Sequence, residues 1–233
     1  LFYGGYPGAA TLIGDEDRFS QYIQSAIIEA TINKDILMDT PISKPALLRQ
    51  TFELGAAYSG ELLSLNKMLG ALQDAGNTVT LAGYINLLDE SGLLCGLQKF
   101  SVDMARRRAS IPKLQVYNNA LKMVYSPLTF EQAILNRKAW GRIFESGIGA
   151  YLVSQAFVHR FEVFYWRERD DEVDFVLRKK GSVVAIEVKS NAEKRTDGLD
   201  KFRKLFNPQA AFIVGDGGIS AEDFLSMDLR KLF

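Results

Sequence analysis

Two short segments near the C-terminal end constrain the fold of this chain more than any other feature. Residues 172–176 and 185–189 each alternate apolar, often β-branched residues with charged ones, a pattern typical of β-strands. Between them, Lys180-Gly181 lies in a polar run and is typical of a turn. We therefore predict a β-hairpin that turns at this dipeptide.

The predicted hairpin brings three charged residues to one face. If it is symmetric about the turn, Asp174 lies opposite Glu187, and Lys189 shares the face of both, because side chains alternate along a strand. Opposed residues have Cβ atoms roughly 4.5–5.5 Å apart. Two carboxylates at that distance repel each other unless a cation or a proton lies between them. This arrangement is the one that a magnesium-dependent phosphodiesterase uses.

These residues resemble the signature of the PD-(D/E)xK nuclease-like superfamily. Asp174 corresponds to its isolated aspartate, and Glu187-Val188-Lys189 corresponds to its ExK motif. Glu145 lies where the superfamily often has a glutamate, on the helix before the hairpin. The resemblance implies that Asp174 and Glu187 bind Mg²⁺, that Lys189 orients the attacking water, and that Glu145 assists catalysis.

A longer series of motifs is similar to the C-terminal region of bacterial and archaeal AAA-type ATPases. The motifs are Trp140–Leu152, Phe164–Arg167, Glu172–Phe175, Ile186–Ser190 and Gly198-Leu199, in that order, and Leu1–Ala9 resembles the segment that closes the ATPase part. The resemblance implies an upstream ATPase domain as a partner.

Two features depart from that family. Its usual aspartate-glycine pair is replaced here by residues within Val116–Leu121. The chain also has no GxxxxGK[ST] loop, so no backbone cradle for the β- and γ-phosphates of ATP exists. We expect ATP to bind only in an upstream domain, which this chain would lack as a fragment.

Composition excludes several classes of protein. The chain has one cysteine and one histidine, which rules out an intrachain disulfide and a zinc site built from two histidines. Its formal net charge is zero, which argues against strong nonspecific binding of nucleic acid by the whole chain. No apolar run approaches the roughly 18 residues of a membrane span, so we expect a cytoplasmic protein without a membrane partner.

Periodicity predicts an α/β (α+β) chain. Helical spacing predicts helices over 15–37, 45–58, 64–74 and 78–90, followed by strand-like segments at 93–100 and 111–117. Helices within 128–158 then precede strands at 163–166, 172–178 and 183–189, a helix at 199–205 and a strand at 211–214. We interpret residues 1–40 as the helical end of an ATPase domain, 41–125 as a winged helix-turn-helix, and 126–233 as a restriction-endonuclease-like αβββαβ domain.

A winged helix raises the question of DNA binding. The third helix carries no lysine or arginine, although phosphate contacts dominate DNA affinity. The predicted wing is better suited, because Arg106, Arg107 and Arg108 form a basic patch with Lys113. We name the three arginines as candidate nucleic-acid contacts, and a connector or protein-binding module as the alternative.

Two functions are therefore compatible with the sequence. The first is Mg²⁺-dependent cleavage of nucleic acid, with Glu145, Asp174, Glu187 and Lys189 as the active site. The second is a noncatalytic module that binds nucleic acid or protein and regulates the ATPase, since a fold can be reused without its chemistry. Tyr165 and Trp166 could stack on bases, but aromatic residues in strands more often pack in a core.

Overall fold

The first half of the chain is built mainly from helices. The computed structural model describes residues 1–73, 76–103, 110–191 and 197–233. After a short 3₁₀ helix at Pro7–Leu12, helix α1 (Glu16–Tyr22) begins behind Asp15, whose side chain accepts a hydrogen bond from the Arg18 backbone N–H. The helix continues through wider π-helical turns at Ile23–Glu29 and Thr31–Ile36.

Three further helices and a hairpin follow in the order of a winged helix. They are α2 (Pro45–Ala57), α3 (Leu65–Ala71), α4 (Thr78–Glu90), β1 (Leu94–Leu97) and β2 (Lys113–Val116). The strands are antiparallel, with Leu94 opposite Val116 and Leu97 opposite Lys113. The predicted wing-tip arginines, Arg106 to Arg108, lie outside the described residues.

The chain leaving β1 is joined to the second half by backbone hydrogen bonds. The Tyr165 backbone N–H donates to the Gln98 carbonyl at 3.2 Å, and the Phe100 N–H donates to the Tyr165 carbonyl at 2.6 Å. The winged-helix half is therefore attached to the edge of the C-terminal sheet.

The second half contains the predicted order of one helix, three strands, one helix and one strand. Short helices α5 (Ala120–Met123) and α6 (Phe130–Leu135) lead into the long helix α7 (Arg137–His159). Strands β3 (Glu162–Glu168), β4 (Asp171–Lys179) and β5 (Ser182–Lys189) follow, then α8 (Asp197–Phe206), β6 (Ala210–Gly215), α9 (Ala221–Ser226) and a 3₁₀ turn at Leu229–Leu232. Asn136 separates α6 from α7, and its side chain caps α7. The predicted α+β class and the αβββαβ order are confirmed.

The sheet has the strand order β3-β4-β5-β6, and β6 runs parallel to β5. The hairpin of β4 and β5 has the predicted register, with Lys179 opposite Ser182 and Arg178 opposite Val183. Lys180 and Gly181 both have positive φ, 47° and 93°, as a two-residue turn of type I′ requires. The turn chemistry therefore fixes which residues of the two strands oppose each other.

Helices cover both faces of this sheet. On one face, Phe175 and Ile186 pack with Ile148 and Leu152 of α7. On the other face, Val176 and Ala185 pack with Leu199 and Phe202 of α8, together with Trp166. Trp166 and Tyr165 are buried, so their interpretation as core residues is confirmed. Cys95, which has Leu93, Leu94 and Leu97 as neighbours in the sequence, is buried as well.

None of the helices within the described residues combines the length and the apolar composition that crossing a membrane requires.

Candidate functional site

Asp174 lies in a β-bulge of β4. Phe164 pairs with Val176, and Trp166 pairs with Val173, so one residue of β3 faces two residues of β4. A bulge bends its strand and redirects side chains relative to a regular ladder. The Asp174 side chain turns toward β5, where its Oδ2 accepts a hydrogen bond from the Val188 backbone N–H at 2.7 Å.

Glu187 and Lys189 are buried within the sheet. Their relative exposures are 3% and 4%, and Asp174 is also 3% exposed. The last pair of the β4–β5 ladder is Phe175 with Ile186, and Asp174 and Glu187 are the next residues along the two strands. On the other side of β5, Lys189 pairs with Gly215 of β6, whose φ of +102° suits glycine alone. These acids therefore lie at the centre of the sheet and not on an open surface.

Lys113 of β2 lies between Glu145 of α7 and Asp174 of β4. Its Nζ donates to Glu145 Oε1 on α7 at 2.5 Å and to the Asp174 backbone carbonyl at 3.1 Å. The same Nζ is 4.0 Å from Asp174 Oδ1 and 4.6 Å from the centroid of the Phe175 ring. The Lys113 side chain is only 7% exposed. A cation therefore lies between Glu145 and Asp174, whereas the sequence predicted one between Asp174 and Glu187.

The charge of Lys113 is stabilised by these partners. Burial on its own lowers the pKa of Lys113, but the charges of Glu145 and Asp174 raise it by more, and the pKa lies above its usual range. Lys113 is therefore protonated at neutral pH. Its assignment to a surface basic patch with the wing arginines is wrong, because β2 is packed between α2 and α7.

Two acids of the predicted Mg²⁺ site, Glu145 and Asp174, have hydrogen-bond partners within the chain. Among residues 1–73, 76–103, 110–191 and 197–233, no group of three or more His, Cys, Asp or Glu side chains is arranged to hold a metal ion. Glu145 Oε1 is bonded to Lys113, and Asp174 Oδ2 is bonded to the Val188 N–H. A hard cation needs several free oxygen ligands, and these oxygens already have hydrogen-bond donors.

A cleft of about 290 Å³ opens beside this cluster. The charged residues that line it are Glu61, Glu145, Glu172 and Asp174 on the acidic side, and Lys113 and Arg167 on the basic side. Glu187 and Lys189 do not line it. Acids outnumber bases two to one, so the cleft repels a phosphodiester in the absence of a further cation.

A second group of buried polar residues joins the two halves. Ser146 of α7 donates to Asn119 Oδ1 at 2.7 Å, and its Oγ lies 2.8 Å from Ser59 Oγ. Gln115 of β2 donates to the Ser146 carbonyl at 2.9 Å. The hydroxyls of Ser59 and Ser146 and the Asn119 amide have partners here, which favours one packing arrangement, whereas Gln115 Oε1 is buried without a hydrogen-bond donor among the described residues.

Sequence reasoning missed Lys113 as a site residue. In β2, Lys113 and Gln115 alternate with Leu114 and Val116, which predicts one polar, exposed face, yet all four residues are buried. Lys113 is 61 residues from Asp174 and 32 from Glu145, so no local spacing signals the contact.

Helix α4, the third helix of the winged helix, offers little to a phosphate backbone. The exposed positions of α4 are Val79, Gly83, Asn86 and Glu90, and the helix contains no lysine or arginine. The three arginines at 106–108 lie outside the described residues, and their contact with nucleic acid stays a prediction.

Comparisons with known proteins give two family matches. Residues 1–132 match the model of a family described as "Domain of unknown function (DUF8612)". Residues 140–223 match a second one, described as "Domain of unknown function (DUF4143)", which is typically found in the C-terminal regions of AAA-type ATPases. No curated protein and no solved structure matches the chain.

Proposed function

This chain belongs to the family described as "Domain of unknown function (DUF8612)", and from this premise we propose that it is a noncatalytic, protein-binding regulatory module of an AAA-type ATPase. The match of residues 140–223 to a domain typical of such ATPases supports the association with the ATPase. In this proposal the nuclease-like fold is retained as a scaffold.

One observation carries the noncatalytic part of the proposal. The Lys113 ammonium is bonded to Glu145 at 2.5 Å and lies 4.0 Å from Asp174 Oδ1, and its side chain is only 7% exposed. A divalent ion would have to displace a buried, protonated lysine, and an ammonium next to two bound carboxylates repels such an ion. Asp174, one of the two predicted metal ligands, and Glu145 are therefore already neutralised within the chain.

The charges around the cluster favour a protein partner over nucleic acid. The cleft carries Glu61 and Glu172 at its rim, and α4 exposes Val79, Gly83, Asn86 and Glu90. Nucleic-acid binding depends mainly on lysine and arginine contacts to phosphates. Surfaces with acids, small residues and few bases suit a polypeptide better.

Magnesium-dependent cleavage of nucleic acid is the competing proposal. The order αβββαβ, the bulge at Asp174 and the ExK sequence on β5 favour it. It requires Lys113 to leave the acid pair before a metal can bind.

The test combines metal binding with cleavage. Mn²⁺ would be titrated into the wild-type chain and into Asp174→Asn by calorimetry, and both proteins would be incubated with supercoiled plasmid and single-stranded RNA in Mn²⁺ or Mg²⁺. We expect equally weak heats of Mn²⁺ binding for the two proteins. We also expect no metal-dependent cleavage, which is cleavage that EDTA would abolish. The full-length ATPase polypeptide, assayed in parallel with the same substitution, controls for a site that is completed by another domain.

Cleavage by the wild type that needs metal and disappears in Asp174→Asn would refute the noncatalytic proposal. Binding of a DNA duplex with a steep salt dependence would refute the preference for a protein partner, since release of counterions from phosphates produces that dependence.

A further inference from the structure

The acid pair and the lysine that neutralises it come from different halves of the chain. Lys113 belongs to β2 of the winged-helix half, whereas Glu145 lies on α7 and Asp174 on β4. The contact therefore crosses the boundary that separates the two family matches, which end at residue 132 and begin at residue 140.

The oxygens around the Lys113 ammonium are those that a metal ion would use. Glu145 Oε1 lies at 2.5 Å, the Asp174 backbone carbonyl at 3.1 Å and Asp174 Oδ1 at 4.0 Å. Carboxylate and carbonyl oxygens are also the ligands that hard divalent ions prefer. An ammonium is a compact point charge with three donors, so it can satisfy such oxygens from one position.

We propose that Lys113 is a tethered cation that takes the place of a divalent metal between Glu145 and Asp174, and that the winged-helix half thereby keeps this acid pair closed. The inference deepens the proposed function and rests on it, because it explains how a nuclease-like scaffold excludes a metal ion from this acid pair. Removal of the ammonium leaves two carboxylates in a largely buried space, where their repulsion can be relieved by a cation from solution.

Other charges around the cluster do not duplicate this role. Glu61 and Glu172 line the same cleft and add negative charge, while Arg167 lines it as the second base. Lys122 also faces Glu145, but its Nζ donates to the Ser59 backbone carbonyl at 2.7 Å. Among the lysines of the described residues, Lys113 makes the close contact with Glu145.

The experiment measures Mn²⁺ binding, by calorimetry and by loss of the free-ion EPR signal, in four forms of the whole chain. They are the wild type, Lys113→Ala, the double variant Lys113→Ala/Glu145→Gln, and Lys201→Ala. Lys201 is a matched control, because it also bridges two carboxylates, Asp171 at 2.8 Å and Glu168 at 3.0 Å, but on the surface. We expect Lys113→Ala to bind Mn²⁺ at least tenfold more tightly than the other three proteins.

Lys113→Ala can also fail to fold. In that case the measurement is whether added Mn²⁺ restores folding. Far-UV circular dichroism of Lys113→Ala would be recorded during Mn²⁺ titration, with K⁺ at equal ionic strength as the control. Recovery of helical signal with Mn²⁺ alone supports the inference. Failure to recover, or equal recovery of the double variant, would overturn it.

The outcomes separate this inference from the proposed function. Tight Mn²⁺ binding by the wild type would refute both. A wild type and a folded Lys113→Ala that both fail to bind Mn²⁺ would refute only the role of Lys113 as a tethered cation, and the noncatalytic module would stand.

Discussion

Two buried lysines show how partners decide the charge of a side chain. Lys113 faces two acids, and their attraction outweighs the cost of burial. Lys122 on α5 is 8% exposed and donates to a neutral carbonyl, that of Ser59. Burial lowers the pKa of Lys122 to about 8, although the charges of Glu61 and Glu145 oppose the shift and Arg142 adds to it.

Replacement of Lys122 by methionine should change how stability depends on pH. Between pH 8 and the ordinary lysine pKa of about 10.4, the unfolded chain binds a proton that the folded chain has released. The free energy of unfolding of the wild type should therefore rise with pH in this window, by up to about 3 kcal/mol, and Lys122→Met should lose that rise.

Urea unfolding of both proteins at intervals from pH 7 to pH 10.5 measures the effect. Lys138→Met, a change at an exposed lysine of α7, serves as the control and should follow the wild type. Parallel curves for the wild type and Lys122→Met would show that Lys122 is solvated in the folded protein.

For single residues, the strand on which a residue lies can be predicted from the sequence more readily than its tertiary contacts. The equal spacing of Asp174 and Glu187 from Lys180-Gly181 places the two acids on neighbouring strands, as the register supports. The contact with Lys113 depends on how β2 packs against α7 and β4, and tertiary packing leaves no trace in the local pattern of β2.

Among the elements, those with strong local signals are predictable. The β4–β5 turn has glycine at a position with positive φ, and α4 has its apolar residues at helical spacing. The bulge at Asp174 is not predictable in this way, because it arises from the pairing of β4 with β3. Short helices such as α5 and α9 are also missed, since four to six residues carry too little periodicity.

Helix α8 approaches the backbone of β4 so closely that one of its glycines has no room for a side chain. A Cβ on Gly198 would overlap the carbonyl oxygen of Glu172 and lie 2.8 Å from the Glu172 nitrogen. Backbone atoms cannot rotate away as a side chain can. We expect Gly198→Ala to lower the free energy of unfolding by about 1–3 kcal/mol, the usual cost of overpacking.

The matched control for this prediction is Gly83→Ala in α4. No atom lies within 4 Å of a Cβ at Gly83, so alanine should stabilise that helix by roughly 0.5–1 kcal/mol through its higher propensity. Chemical denaturation of both variants gives the comparison. A Gly198→Ala protein that is as stable as Gly83→Ala would show that α8 is not held against β4.

For the whole molecule, the contacts between the halves determine how the halves are placed and whether they unfold together, more than the position of a domain boundary does. The boundaries at residues 41 and 126 stay a prediction. The halves are joined by the backbone pair of Phe100 with Tyr165, by the group of Ser59, Asn119 and Ser146, and by the Lys113 ion pair. Polar groups buried at such a junction favour one relative placement of the halves.

We therefore expect the chain to unfold in a single cooperative transition. Both tryptophans, Trp140 and Trp166, belong to the second half, so their fluorescence reports on that half alone. Far-UV circular dichroism reports on helices of both halves, including α2 and α4. Coincident urea transitions by the two probes are the test of two-state unfolding.

The same two probes test the contribution of the ion pair. Lys113→Met leaves buried Glu145 and Asp174 without their cation, and the loss of one partner of a buried pair costs about 3–5 kcal/mol. We expect the fluorescence midpoint to fall to lower urea and to separate from the circular dichroism transition, because the uncompensated acids destabilise the second half first. Lys201→Met removes a surface lysine with two acidic partners, and its transitions should stay coincident. Separate transitions in the wild type would contradict this picture, since the halves would then unfold independently and the junction would not couple them.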